Sequence, residues 1–249
     1  MTNYWISEVI RTILLFSLAY GLGLLVLKKG VKVNYTRKVF HFALFFLPIY
    51  MAPVIAFEPS LLTVVLSGTV FMLCIASMAK PFRDKSRFIT TVFASIDRPE
   101  DRPYTLLWVS TQMLATYAVL ILVLWWLSAY EKTVLIYITV LISGIGDGLA
   151  EPVGVRFGKR TYQTRALFTD RKYTRSIEGS ACVFFSGILA IVLMQEHLTL
   201  IQIVLALLII PISMTLAEAF SPHTWDAPFL YGVGGVSTVA VLELSALFV

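Results

Sequence analysis

Hydrophobic positions in this chain run in long unbroken stretches, separated by short polar ones. The apolar stretches cover roughly 8–27, 39–57, 60–79, 106–129, 133–153, 178–196, 198–220 and 229–249, eight in all. A helix needs about 20 apolar residues to cross a bilayer. Backbone inside a bilayer must satisfy its own hydrogen bonds, and the period-two alternation of a membrane barrel is absent here. The pattern therefore predicts an all-α polytopic membrane protein with about eight transmembrane helices. One membrane domain over 1–249 leaves little chain for a soluble one. Short turns join the stretches at Glu58-Pro59, Tyr130-Glu131-Lys132 and Gln195-Glu196-His197. The connections at 28–38, 80–102 and 156–175 are longer and polar. No internal repeat is visible.

Composition agrees: 58% of the residues are hydrophobic and only 14% charged, far from the balance of a soluble domain. The charges also assign sides. Of 20 Lys and Arg, all but Arg11 and Lys132 fall in those three long connections. Basic loops stay in the cytoplasm, so both termini are expected outside and the three connections inside. The basic balance is thus a topology signal, and nucleic-acid binding is not expected. The first stretch lacks a basic leader before it, so it reads as a retained span and not as a cleaved signal. Cys74 and Cys182 sit in apolar stretches and make no disulfide framework or metal spacing. Asn34-Tyr35-Thr36 matches a glycosylation sequon but falls on the cytoplasmic side of this topology.

Against that background ISGIGDGLAEPVGVRFGKR (142–160) is anomalous. It places Asp147 and Glu151 at the end of an apolar stretch, where a carboxylate costs about 2.5–3.5 kcal/mol on insertion scales. Four residues apart, the two acids share a helical face. Two hard oxygen ligands on one face suit a divalent cation, most naturally Mg²⁺. Gly146 and Gly148 flank Asp147 and let a ligand or another backbone come close. Pro152 interrupts helical hydrogen bonding nearby, which suits backbone that lines a cavity. The Gly144–Gly148 and Gly154–Gly158 spacings equally suit helix packing, which leaves the acids unexplained. GVRFGK (154–159) is not a P-loop, because its glycines are four apart and Arg160 follows the lysine; the glycines around Asp147 do not fit a dinucleotide fingerprint either.

Beyond Lys159 the chain carries Arg160, Arg165, Arg171, Lys172 and Arg175, then Ser176 and Glu178 at the opening of the next stretch. A helix N-terminus favours an anion. Cations, a helix start and two acids at one face are what a metal–polyphosphate site requires. The bland alternative is that these cations set topology or bind anionic headgroups. Four more segments stand out. Arg37, Lys38 and His41 open the second stretch, with Arg37 and His41 on one face. SRFITTVFASI (86–96) groups Phe88, Val92, Phe93 and Ile96 as for a short interfacial helix. DRPEDRPYT (97–105) after it reads as a solvated turn or as one wall of a polar site. Near the end of the seventh stretch, Glu218 and Asp226 bracket a Ser-Pro turn.

RKVFH (37–41), GDGLAEPVGVRFGK (146–159), RSIEGS (175–180) and EAFSPHTWD (218–226) together resemble the CTP-dependent lipid kinases. That group comprises dolichol kinase, phytol kinase and the CTP-dependent diacylglycerol kinase, and lies with the CDP-diacylglycerol synthases in a wider membrane superfamily. The resemblance implies Mg²⁺-dependent transfer of the γ-phosphoryl group of CTP to a lipid alcohol at the cytoplasmic face. It carries over Asp147, Lys159, Ser176, Glu178 and Gly179 as site positions. Arg175 stands where lysine is usual, and Ala227 where asparagine often is. On this reading Asp147, Glu151, Glu178, Glu218 and Asp226 are candidate metal ligands. Lys159, Arg160, Lys172, Arg175, Arg37 and Lys38, with Gly146, Gly148, Ser176 and Gly179, are candidate nucleotide contacts. His41 or an acid takes the hydroxyl proton. Two alternatives stand beside it: a cytidylyltransferase making a CDP-lipid, whose Lys/Asp-rich terminal signature 200–249 lacks, and an ion-coupled transporter with a broken helix at 144–152.

Overall fold

The computed structural model describes residues 1–167 and 170–248. All eight apolar stretches are helical: α1 (Thr2–Lys29), α2 (Val33–Met51), α3 (Leu61–Ser77), α6 (Thr105–Ser128), α7 (Ile136–Leu141) continuing into α8 (Gly148–Phe157), α9 (Ile177–Leu193), α10 (Leu200–Phe220) and α11 (Asp226–Ala246). Two short helices, α4 (Lys80–Arg83) and α5 (Arg87–Ala94), fill the second polar connection. Among the described residues five helical segments are long and apolar enough to cross a membrane, by length and composition: Thr2–Lys29, Thr105–Ser128, Thr133–Phe157, Leu200–Phe220 and Asp226–Ala246. The others are shorter or more polar, and α9 has 17 residues.

The expectation of a purely helical protein needs one correction. The 156–175 connection contains an antiparallel hairpin, β1 (Thr161–Arg165) with β2 (Lys172–Ser176), in which Tyr162 stands opposite Arg175. Thr and Tyr favour the pleated backbone at both ends of the connection, and the chain reverses between them.

The chain divides into two compact units, Met1–Leu114 and Ala115–Val249. In the first, the apolar face expected of an interfacial helix is turned inward. Val92 and Phe93 of α5 are buried with Ala19 and Met78, and Phe88 stacks on Tyr20. Contact is so close that a Cβ at Gly23 would lie 1.8 Å from the carbonyl oxygen of Thr91. The 97–105 segment is solvated only in part: Pro99, Glu100, Arg102, Pro103 and Tyr104 are exposed, but Arg98 and Asp101 are buried as an ion pair at 2.7 Å, and Arg37 reaches the same carboxylate at 3.7 Å. A second polar knot ties α1 to α3, where buried Glu8 accepts from Arg11 and, at 2.8 Å, from Ser67.

In the second unit α9 lies at the centre, against α8, α10 and α7, while α11 packs on α10 and α7. Burial separates centre from rim: 56% of the apolar window is buried in Thr133–Phe157 and in Asp226–Ala246, against 22% in Leu200–Phe220. Ile138, Ile142, Val183, Ile191, Ile210, Met214 and Leu230 form the core. Large side chains such as Phe185, Leu200 and Leu208 stay exposed, as lipid-facing positions do.

Candidate functional site

The path to the site begins at a defect in a helix. Between α7 and α8 the segment Ile142–Asp147 forms a π-helical turn, a feature that concentrates at functional sites. It ends on Asp147, half-buried, and Glu151 follows one turn later on α8, also half-buried. Gly146 faces α9, where a Cβ would come 2.9 Å from Cα of Val183. Gly179 on α9 faces back, with its Cβ position 2.7 Å from the carbonyl oxygen of Ala150. These two glycines let α9 lie directly on the acid-bearing segment. Gly154 and Gly158 make room for Ser176 in the same way, and Gly148 is buried at the head of α8. Ser176 caps α9, its Oγ accepting from the Gly179 amide at 3.1 Å.

Arg175, the last cation before that cap, is the organising charge. Its Nη1 donates to Oε1 of Glu218 at 3.1 Å and to Oγ of Ser221 at 3.3 Å, and its Nη2 lies 3.9 Å from Oδ2 of Asp226. Burial alone would weaken its hold on the proton. The charges of Glu218, Asp226 and Asp147 more than reverse that, and its pKa rises above the ordinary arginine value. Arg175 is therefore a permanent cation set among three acids drawn from α10, α11 and the π-helical turn.

Glu218 is buried, and both its oxygens are engaged. Oε2 accepts from the Ser180 hydroxyl at 2.9 Å, and Ser180 in turn is 2.6 Å from the Tyr162 hydroxyl. Ser180 spends its one proton on Glu218, so Tyr162 is the donor in the second bond. Burial, with the nearby Glu218 charge, raises the Tyr162 pKa and keeps that proton in place. Sequence reasoning missed Tyr162, Ser180 and Ser221. The strand-like TYQTR and KYTRS runs were the available signal for the first.

Glu178 sits at the mouth of the hairpin. Its Oε1 accepts from the Arg160 amide at 3.4 Å, and Oε2 is buried with no hydrogen-bond partner among the described residues. Lys159 and Arg160 are exposed beside it, and Lys172 is exposed at the far end of the hairpin. Thr224, two residues before Asp226, holds a left-handed φ of 66°, strained for a β-branched residue. Asp147, Arg175, Ser176, Glu178, Gly179, Glu218 and Asp226 thus all belong to the second unit. Arg37, Lys38 and His41 belong to the first, where Lys38 is buried and His41 lies against Phe45, ring centroids 4.7 Å apart.

Among the described residues no three His, Cys, Asp or Glu side chains form a ready-made metal cage. Mg²⁺ is commonly held by one or two carboxylates plus substrate phosphates, so the acids present fit such an ion better than a fully protein-ligated one. No family model matches the chain, and neither the curated proteins nor the solved structures contain a significant match.

Proposed function

We propose that this protein is an integral membrane phosphotransferase that moves the γ-phosphoryl group of CTP onto the hydroxyl of a membrane lipid alcohol. One observation carries most of the reading. Glu218 at 3.1 Å and Asp226 at 3.9 Å flank the largely buried Arg175 guanidinium, and the Asp147 charge also acts on it, so acids outnumber the cation there. That surplus of acid suits Mg²⁺, and the exposed Lys159, Arg160 and, on β2, Lys172 suit phosphate oxygens.

When bound, Mg²⁺ would neutralise phosphate charge, with Asp147 and Glu151 as its nearest sequence-paired ligands. Lys159, Arg160 and Lys172 would bind the polyphosphate, and Arg175 would fix the positive edge of the site. The lipid hydroxyl oxygen bonds to the γ-phosphorus, the bond to the β-phosphate oxygen breaks, and CDP leaves. The hydroxyl proton passes to a base, for which the site acids are the candidates. The lipid tail stays in the bilayer, so a long apolar chain needs no soluble pocket.

The charge distribution supports an orientation in which all eight helical stretches span, both termini lie outside and the three basic connections, with the site, face the cytoplasm. The test is incubation of the purified protein with γ-labelled and α-labelled CTP and a panel of polyprenols, phytol and diacylglycerols. Transfer of the γ label with release of CDP is expected. Transfer of the α label with release of pyrophosphate would make it a cytidylyltransferase. Solute flux without nucleotide consumption would make it a transporter.

A further inference from the structure

The two oxygens of Glu218 receive the two side chains of one hairpin rung. Tyr162 and Arg175 are cross-strand partners, so they project from the same face of the hairpin. Arg175 reaches Oε1 directly at 3.1 Å, and Tyr162 reaches Oε2 through Ser180, over bonds of 2.6 and 2.9 Å. A two-stranded hairpin is marginal by itself. This one gains its place from that single carboxylate, from Ile177 donating to the Arg160 carbonyl at 2.9 Å, and from His223 donating its amide to the Arg165 carbonyl at 2.9 Å. Of these three ties, the Glu218 connection is the one that takes in both residues of the rung that holds Arg175.

We infer that Tyr162 and Ser180 are positioning residues which, by holding Glu218 in one rotamer, fix where Arg175 stands. Glu218 is then an anchor for the hairpin, one oxygen bonded to Ser180 and the other to Arg175. The consequence for nucleotide binding rests on the phosphotransfer reading above; the anchoring itself does not. A guanidinium held at two points is preorganised, so less side-chain freedom is lost when a phosphate arrives.

The first measurement is hydrogen exchange on the full-length protein in lipid nanodiscs, without nucleotide. Tyr162→Phe removes one bond of the chain and Ser180→Ala removes both, and each fills nearly the same space. Amides of β1 and β2 are expected to exchange roughly three- to tenfold faster, with α9, α10 and α11 unchanged. Gln163→Ala, one residue along on the other face of the hairpin, is the control. Exchange equal to wild type, or an equal rise in the control, overturns the inference.

The second measurement is a double-mutant cycle on Mg·CTP binding by calorimetry. Tyr162→Phe is expected to weaken binding roughly tenfold in wild type and to have little further effect beside Arg175→Gln, because it acts through Arg175. Arg175→Lys serves in the same cycle if the glutamine variant does not fold. Additive effects would mean that Tyr162 does not work through Arg175. A loosened hairpin in a protein that binds no Mg·CTP leaves the anchoring intact and removes the phosphotransfer reading.

Discussion

Arg175 donates to Glu218 across 3.1 Å, joining the end of the β-hairpin to the last turn of a helix 43 residues further along the chain. Both side chains are largely buried, with 12% and 6% exposure. A pair of this kind is costly to break from one side, because the remaining charge keeps its desolvation penalty without its partner. Glu218→Leu is therefore expected to destabilise the protein by about 3–5 kcal/mol. Arg175→Met with Glu218→Leu should recover most of that loss without recovering activity. Denaturant titration in detergent micelles measures the first effect and labelled-CTP turnover the second. Recovery of both would show that the pair is structural only.

Asp147 contributes charge to the site from the π-helical turn, in reach of both Arg175 and Glu218. Asp147→Asn keeps the shape and removes the charge. Turnover is expected to fall roughly a hundredfold or more, with the melting temperature changed little. Near-normal turnover would separate Asp147 from the chemistry.

Gly179 and Gly146 predict a packing effect of a different kind. A Cβ at Gly179 would meet the Ala150 carbonyl oxygen at 2.7 Å, and one at Gly146 would meet Cα of Val183 at 2.9 Å. Neither neighbour is a flexible side-chain tip. Alanine at either position should cost about 1–3 kcal/mol, the ordinary penalty of overpacking. Gly21, with nothing within 4 Å of its Cβ position, is the control and should tolerate alanine. Thermal unfolding of the three variants decides it.

In the first unit Asp101 compensates Arg98 inside a buried segment. Asp101→Ala should destabilise that unit by about 3–5 kcal/mol, for the same reason as at Glu218. Faster hydrogen exchange in 87–104, without change in 177–193, is the expected pattern. Uniform exchange across the chain in this variant would refute it.

Periodicity and composition were enough to place all eight helical stretches, because an apolar run of such length has few alternatives to a helix. Asp147, Glu178 and Glu218 were legible as acids that have to be explained, since each lies in or beside an apolar run. Their grouping was less legible. The hairpin was missed because cationic residues dominate its composition, while its β-forming signal is only a few Thr and Tyr. The 97–105 segment reads as solvated because its charges are dense; folding leaves Arg102–Asp97 at the surface but buries Arg98–Asp101. Glu8 opens the first apolar stretch, and only the fold shows it buried against Ser67.

By itself, then, the sequence determined what does not depend on long-range pairing: a helical membrane chain, a strong charge asymmetry, and the acids and cations that a polyphosphate site would need. Only the tertiary structure decided which of those charges meet. Arg175 could have paired with any of several acids at similar chemical cost. Its choice of Glu218, and the tie from Tyr162 to the same carboxylate, depend on strand register and on the close approach that Gly146 and Gly179 allow. Those are properties of packing between segments far apart in the chain, which local patterns do not encode.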